Sequence, residues 1–223
     1  IELIPFEGEM PLDLYGHVFF NTPVGSVNSN GTPVPKYLPD GTLNPEYGVM
    51  IFNGDGMVFR FDLDEPGKVK LKTGLLRTPW FYADEATMPG TPYYEKGYYF
   101  KSLGIAREGT ALGSRNQLNT AFNMFKFPGD QHTRLTANFD AGRPYEVDVS
   151  SLILKTPIGA NKEWRQELPA LLEDTFELVQ SSAHPSFDPV SKEFFTVCFN
   201  KDFFNLVIVR KLDFILTHHT GII

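Results

Sequence analysis

An all-β fold is what this sequence predicts, on three observations. The chain carries 20 Phe, 9 Tyr and 2 Trp, and aromatic side chains suit pleated, half-buried surfaces. It also carries 19 Gly and 17 Pro, residues that punctuate chains with turns. Short apolar runs recur between those turns at a spacing that fits four-stranded units of roughly 40–50 residues, the size of a propeller blade. A β-sandwich, which also consists of many short strands, is the alternative architecture.

The runs expected as strands are 17–20, 49–52, 57–63, 69–72, 121–127, 135–139, 145–149, 152–155, 193–199 and 206–212. Asn53-Gly54-Asp55-Gly56 between two of them predicts a hairpin turn, because Asn, Asp and Gly tolerate positive φ. Asp40-Gly41, Pro66-Gly67, Pro128-Gly129 and Ala141-Gly142 mark further turns. Residues 163–174 have helical composition around Trp164, Leu168, Leu171 and Leu172, with Pro169 expected to split the helix. Residues 78–103, rich in aromatics, Pro and Gly, are expected to form a long ordered loop with one helical turn.

The chain has 223 residues and a net charge of −7, with hydrophobic residues at 42%. That composition supplies a core and makes a nucleic-acid partner unexpected, since phosphate binding needs clustered Lys and Arg. No apolar run approaches the length of a membrane span. The N-terminus has neither a basic n-region nor an apolar h-region, so no signal peptide is expected. Cys198 is the only cysteine, which excludes an internal disulfide and a thiolate metal cluster. Its apolar surroundings predict burial, and a reducing cytoplasmic setting is the expectation.

One short stretch is chemically suggestive: Ala183-His184-Pro185-Ser186-Phe187-Asp188-Pro189. His is the commonest protein ligand of transition metals, and neutral imidazole suits ferrous iron. Upstream segments set it in context. Glu7-Gly8-Glu9-Met10-Pro11-Leu12 through Asn21-Thr22-Pro23, Phe52-Asn53-Gly54-Asp55-Gly56-Met57-Val58, Leu76-Arg77-Thr78 with Glu85, Leu118-Asn119-Thr120-Ala121, and Asn138-Phe139-Asp140-Ala141-Gly142-Arg143-Pro144-Tyr145 occur in that order before it. Together these segments resemble the carotenoid cleavage oxygenase family. Each is modest alone; six in order make a specific signal. Phe20 stands where the family usually has Arg.

The resemblance implies a seven-bladed β-propeller, of which residues 1–223 would be the N-terminal portion of a single domain, the first three to four blades. It implies a non-haem Fe(II) dioxygenase that cleaves a C=C bond of a carotenoid, apocarotenoid or stilbene-like substrate with O2. His184 then stands as the first of four iron-ligating histidines. Asp140 falls where the family has a Glu that holds the far N–H of a ligand histidine, and its shorter side chain reaches less far. The glycine–aspartate turn at 54–56 is structural in the family. The run 93–103, with Tyr93, Tyr94, Tyr98, Tyr99, Phe100 and Leu103, lies where relatives have an apolar patch that touches membrane. Packing of that run on its own blade is the alternative, so the expected location is cytoplasmic with peripheral membrane association. His218 and His219 match no ligand pair, because adjacent strand residues face opposite ways. His17 and His132 also match no ligand position.

Two other functional readings stand beside this one. A catalytically inactive relative would bind an apolar ligand or a protein through its aromatic surface. A propeller hydrolase would use acidic pairs such as Asp188 with Glu193 or Asp140, since glycosidases need two facing carboxyls.

Overall fold

Alternating side chains and closely spaced turns fold this chain into antiparallel sheets. The computed structural model describes residues 1–24, 35–44, 46–48, 51–103, 106–159, 164, 179, 181–199, 204–209 and 216–221. One sheet contains β1 (Glu2–Leu3), β2 (His17–Val24), β3 (Asp55–Asp62) and β4 (Val69–Leu75), in the order β1-β4-β3-β2. A small sheet follows, β5 (Lys101–Leu103), β6 (Ala106–Gly109) and β7 (Gly113–Ser114). The next is a four-stranded meander, β8 (Ala121–Phe125), β9 (Arg134–Asn138), β10 (Tyr145–Val147) and β11 (Leu154–Pro157). Another meander is formed by β12 (Ser186–Asp188), β13 (Glu193–Phe199), β14 (Phe204–Val209) and β15 (Leu216–Gly221). All pairings within these sheets are antiparallel.

One edge strand from each of the three large sheets neighbours the next, β2 beside β8 and β8 beside β12. Such an arrangement, with edge strands brought together and sheets fanning outward, is that of propeller blades. Two apolar clusters fill the space between sheets. One joins Val58 and Leu76 to Leu118, Leu135, Val147 and Leu152. The other joins Phe125 and Phe127 to Phe194 and Cys198. Cys198 is buried, as its surroundings predict.

Most expected strands overlap observed ones, and 193–199 coincides with β13. Three expectations are corrected. The run 49–52 is not a strand where it is described: Ile51–Asn53 forms a 3-10 turn. Asn53-Gly54-Asp55-Gly56 is not a hairpin turn. Instead it enters β3, whose Asp55 and Gly56 pair with Val24 and Pro23 of the distant β2. Its glycines serve close approach: a Cβ on Gly54 would lie 1.8 Å from the Val24 carbonyl oxygen, and one on Gly56 2.3 Å from that of Leu118. Residues 78–103 contain two helices, α1 (Pro79–Ala86) and α2 (Pro92–Glu95), as well as β5. Both helices begin with Thr-Pro. Thr78 Oγ1 accepts from the Phe81 N–H at 3.2 Å, and Thr91 Oγ1 accepts from the Tyr94 N–H at 3.3 Å. A threonine cap followed by proline in the first turn is a helix start signal, hidden here among aromatic and turn-forming residues. The helix expected at 163–174 lies outside the described residues except for Trp164, whose indole N–H donates to the Ile158 carbonyl at 2.9 Å. None of the described helices is long and apolar enough to cross a membrane.

Candidate functional site

The segment 181–185 enters β12 and is held from three sides. An antiparallel bridge pairs Ser181 with Cys198 of β13. The Ser181 N–H donates to the Asp140 carbonyl at 2.8 Å, and the Ser181 hydroxyl lies 3.1 Å from the Phe139 carbonyl and 2.5 Å from that of Gly142. The Ser182 N–H donates to the Val197 carbonyl at 3.1 Å. The Ala183 N–H donates to Asp140 Oδ1 at 3.2 Å, and the His184 N–H donates to Ser182 Oγ at 3.2 Å. On the far side, the Asn123 amide of β8 donates to the Pro185 carbonyl at 2.6 Å.

The result is a pinned backbone with a free ring. Ser181, Ala183 and Pro185 are buried, whereas His184 is exposed between them. Its backbone N–H is bonded, and its imidazole makes no hydrogen bond to any described residue. A neutral imidazole in that state has one ring nitrogen with a lone pair available for a metal.

Asp140 comes to the same loop, but through the main chain: its carboxylate bonds the Ala183 N–H. The sequence pointed to both residues, and across 43 positions the fold brings Asp140 to Ala183, the neighbour of His184.

The other histidines lie elsewhere. His17 Nδ1 is 2.8 Å from Asp62 Oδ1, and its Nε2 is 3.8 Å from Asp64 Oδ2. Arg60 bonds Asp62 and, ahead of His17, holds that carboxyl below its ordinary range. His17 and His132 stand on the walls of a cleft of about 640 Å³ between β2 and the β8–β9 turn, floored by Glu146 and Val147. His218 and His219 fall on β15, in register with Val207 and Leu206 of β14. Among the described residues no three His, Cys, Asp or Glu side chains converge as a metal-binding group. Asp188 is opposite Glu193 in the β12–β13 register. Its Oδ1 accepts the Val190 N–H at 2.8 Å, and that bond, aided by Ser191, holds the carboxyl below its ordinary range. Asp188 is a turn-capping group.

The aromatic run divides. Tyr93, Tyr98 and Leu103 are exposed, Tyr94 stacks on Tyr99 with ring centroids 4.5 Å apart, and Phe100 is buried in the core.

A buried charge lattice was not legible in the sequence. Arg115 pairs with Asp55 and lies 3.3 Å from Asp84. Arg107 lies 3.4 Å from Asp84 and 2.9 Å from Glu46. Burial pushes the Asp55 and Asp84 carboxyls up, against the pull of the two guanidiniums. Around it, the Gly56 N–H donates to the Gln117 carbonyl at 2.8 Å, and the Asn119 amide donates to the Phe52 and Gly54 carbonyls at 2.7 and 2.6 Å. No local spacing signals such pairs, since Asp55 and Arg115 are 60 positions apart.

Comparison with known proteins gives a consistent picture. The family model described as the retinal pigment epithelial membrane protein matches residues 1–219. A cobalt-substituted Synechocystis apocarotenoid oxygenase is similar at 20% identity with a TM-score of 0.56, covering 100% of this chain and 42% of that one. A variant of the same Synechocystis enzyme gives 20% identity and a TM-score of 0.55, with the same coverage. A chimera of apocarotenoid oxygenase and RPE65 gives 20% identity and a TM-score of 0.53, covering 99% of this chain and 41% of that one. At such identity the likeness establishes the fold, and the chain spans about two-fifths of the length of these structures. Among curated proteins, none matches the chain.

Proposed function

The chain belongs to the carotenoid oxygenase family, that of the retinal pigment epithelial membrane protein, and on that premise we propose that it is the N-terminal portion of a non-haem Fe(II) dioxygenase. In this reading residues 1–223 form part of one propeller domain, and His184 contributes one of four histidine ligands. The observation that carries it is the His184 loop: the N–H groups of Ser181, Ser182, Ala183 and His184 and the Pro185 carbonyl are all bonded, and the imidazole makes no hydrogen bond to a described residue. That donor fits ferrous iron, which accepts imidazole readily.

When bound, the iron would activate O2 for cleavage of a C=C bond, and both oxygen atoms end in the two carbonyl products. The residues of this chain do the positioning. The loop presents the imidazole at a fixed place, and Asp140 keeps the Ala183 peptide from turning. The substrate class is an apolar polyene or a stilbene-like alkene. Exposed Tyr93, Tyr98 and Leu103 support peripheral contact with a membrane that stores such substrates, because Tyr is apolar along its ring and polar at its tip. The location in this reading is cytoplasmic and membrane-associated.

The test is iron content and O2-dependent cleavage of an apocarotenoid or stilbene by the protein carrying this chain. His184→Ala is expected to lose both while the far-ultraviolet circular dichroism stays unchanged. Iron retained at full stoichiometry in that variant would rule out His184 as a ligand.

A further inference from the structure

The neighbouring edge strands of two sheets each carry a Phe-Asn pair, Phe20-Asn21 on β2 and Phe122-Asn123 on β8. Both asparagines reach across to the segment that leads into the next sheet's facing edge strand. The Asn21 amide donates to the Leu118 carbonyl at 2.8 Å, three residues before β8 begins. The Asn123 amide donates to the Pro185 carbonyl at 2.6 Å, one residue before β12 begins. The same device thus recurs from one sheet to the next. At its first use it holds a residue whose side chain is buried, Leu118. At its second it holds the residue that follows the exposed His184.

We propose that Asn123 is a positioning residue for His184, acting from the neighbouring sheet. Resting on the reading of His184 as a metal ligand, it names the group that sets that ligand's direction. His184 is flanked by two long-range bonds: the Asp140 carboxylate accepts from the Ala183 N–H on one side, and the Asn123 amide donates to the Pro185 carbonyl on the other. The proline ring limits φ at 185, so fixing the carbonyl there fixes how the chain leaves His184. With both neighbours held, the Cα–Cβ direction of His184 is set before any metal arrives. Outer groups that orient a ligand typically change metal affinity by about 10–100-fold.

Asn21 provides the internal control, since Asn21→Leu and Asn123→Leu each remove one amide–carbonyl bond between sheets. The experiment uses the labelled 223-residue chain in solution. It reads amide exchange at Ala183 and His184, the His184 ring Cε1–Hε1 resonance, and the cobalt(II) concentration that broadens the neighbouring Ala183 amide resonance, a signal that every variant retains. Asn123→Leu is expected to speed exchange at the two amides about tenfold, in line with the loss of one hydrogen bond. It should shift the ring resonance and raise the cobalt(II) requirement about tenfold. Asn21→Leu should leave all three readings at their starting values while lowering the unfolding temperature to a similar degree. Asn123→Asp keeps the shape, removes the donating NH2, and should behave as Asn123→Leu does. Equal responses in the Asn21 and Asn123 variants, or a wild-type response in Asn123→Asp, would overturn the inference. His184→Ala separates the two ideas. If cobalt(II) behaves the same without His184, the ligand reading itself fails. If His184→Ala abolishes the effect and Asn123→Leu changes nothing, only the positioning role fails.

Discussion

Two loops between sheets, 115–119 and 181–185, are both held by bonds from residues far away in sequence, yet they dispose of their side chains in opposite ways. In the first, Arg115, Gln117 and Asn119 are buried and bond the Asn53–Gly56 segment, while Leu118 is buried in the apolar core. In the second, Ser181 and Ala183 are buried, but His184 is exposed and its ring bonds no other described residue. A loop whose side chains are spent on partners holds the architecture together. A loop with a satisfied backbone and one uncommitted donor presents chemistry. Physically the difference is one of access: the polar side chains of the first loop are buried, whereas the His184 ring is exposed.

Substitutions can break or sharpen that contrast, and the largest effect is expected in the first loop. Arg115→Met leaves Asp55 and Asp84 buried without one cation. It should lower stability by about 3–5 kcal/mol in urea unfolding. Gly56→Ala comes next, because its Cβ would lie 2.3 Å from the Leu118 carbonyl oxygen; the backbone shift needed should cost about 1–3 kcal/mol by the same measurement. In the second loop, Asp140→Ala leaves the buried Ala183 N–H without its acceptor and should cost about 1–2 kcal/mol. Faster exchange of that amide would locate the damage.

Acid adds a smaller probe. The Ser151 N–H, then its hydroxyl, hold the Asp148 carboxyl at about 2, below the ordinary 3.8. A carboxyl lowered in the folded state stabilises above the ordinary value, and that contribution is lost as pH falls. The window runs from about 4 to about 2. Asp148→Asn should therefore flatten the acid limb of the stability curve in that window. Smallest of all is His184→Ala, whose exposed ring has no bond to lose, so stability should stay within about 0.5 kcal/mol. Metal binding should nonetheless disappear. A stability loss as large as that of Asp140→Ala would mean the ring has a structural partner, and the contrast would collapse.

Much of this was legible in the sequence, and particular residues show where legibility stopped. Alternation and turn residues located most strands, since side-chain direction in a strand follows from local backbone geometry. Family motifs led to His184 and Asp140 together. The Asn53–Gly56 turn was misread because glycine signals freedom in a hairpin and crowding in a close approach alike, and only the neighbours distinguish them. The two Thr-Pro helix starts were present but overshadowed by their composition. Asn123 gave no signal at all, because an asparagine in a strand looks the same whether or not a carbonyl waits across the next sheet.

By itself, then, the sequence determined the all-β class, the burial of Cys198 and the candidate histidine, all of which follow from local pattern or ordered motifs. Tertiary structure alone decided that Arg115 meets Asp55, that Asn123 meets Pro185, and that the imidazole of His184 is exposed beside buried neighbours. Each of these depends on which distant segments the packed sheets bring within about 3 Å, the reach of a hydrogen bond, and a linear pattern does not encode that distance.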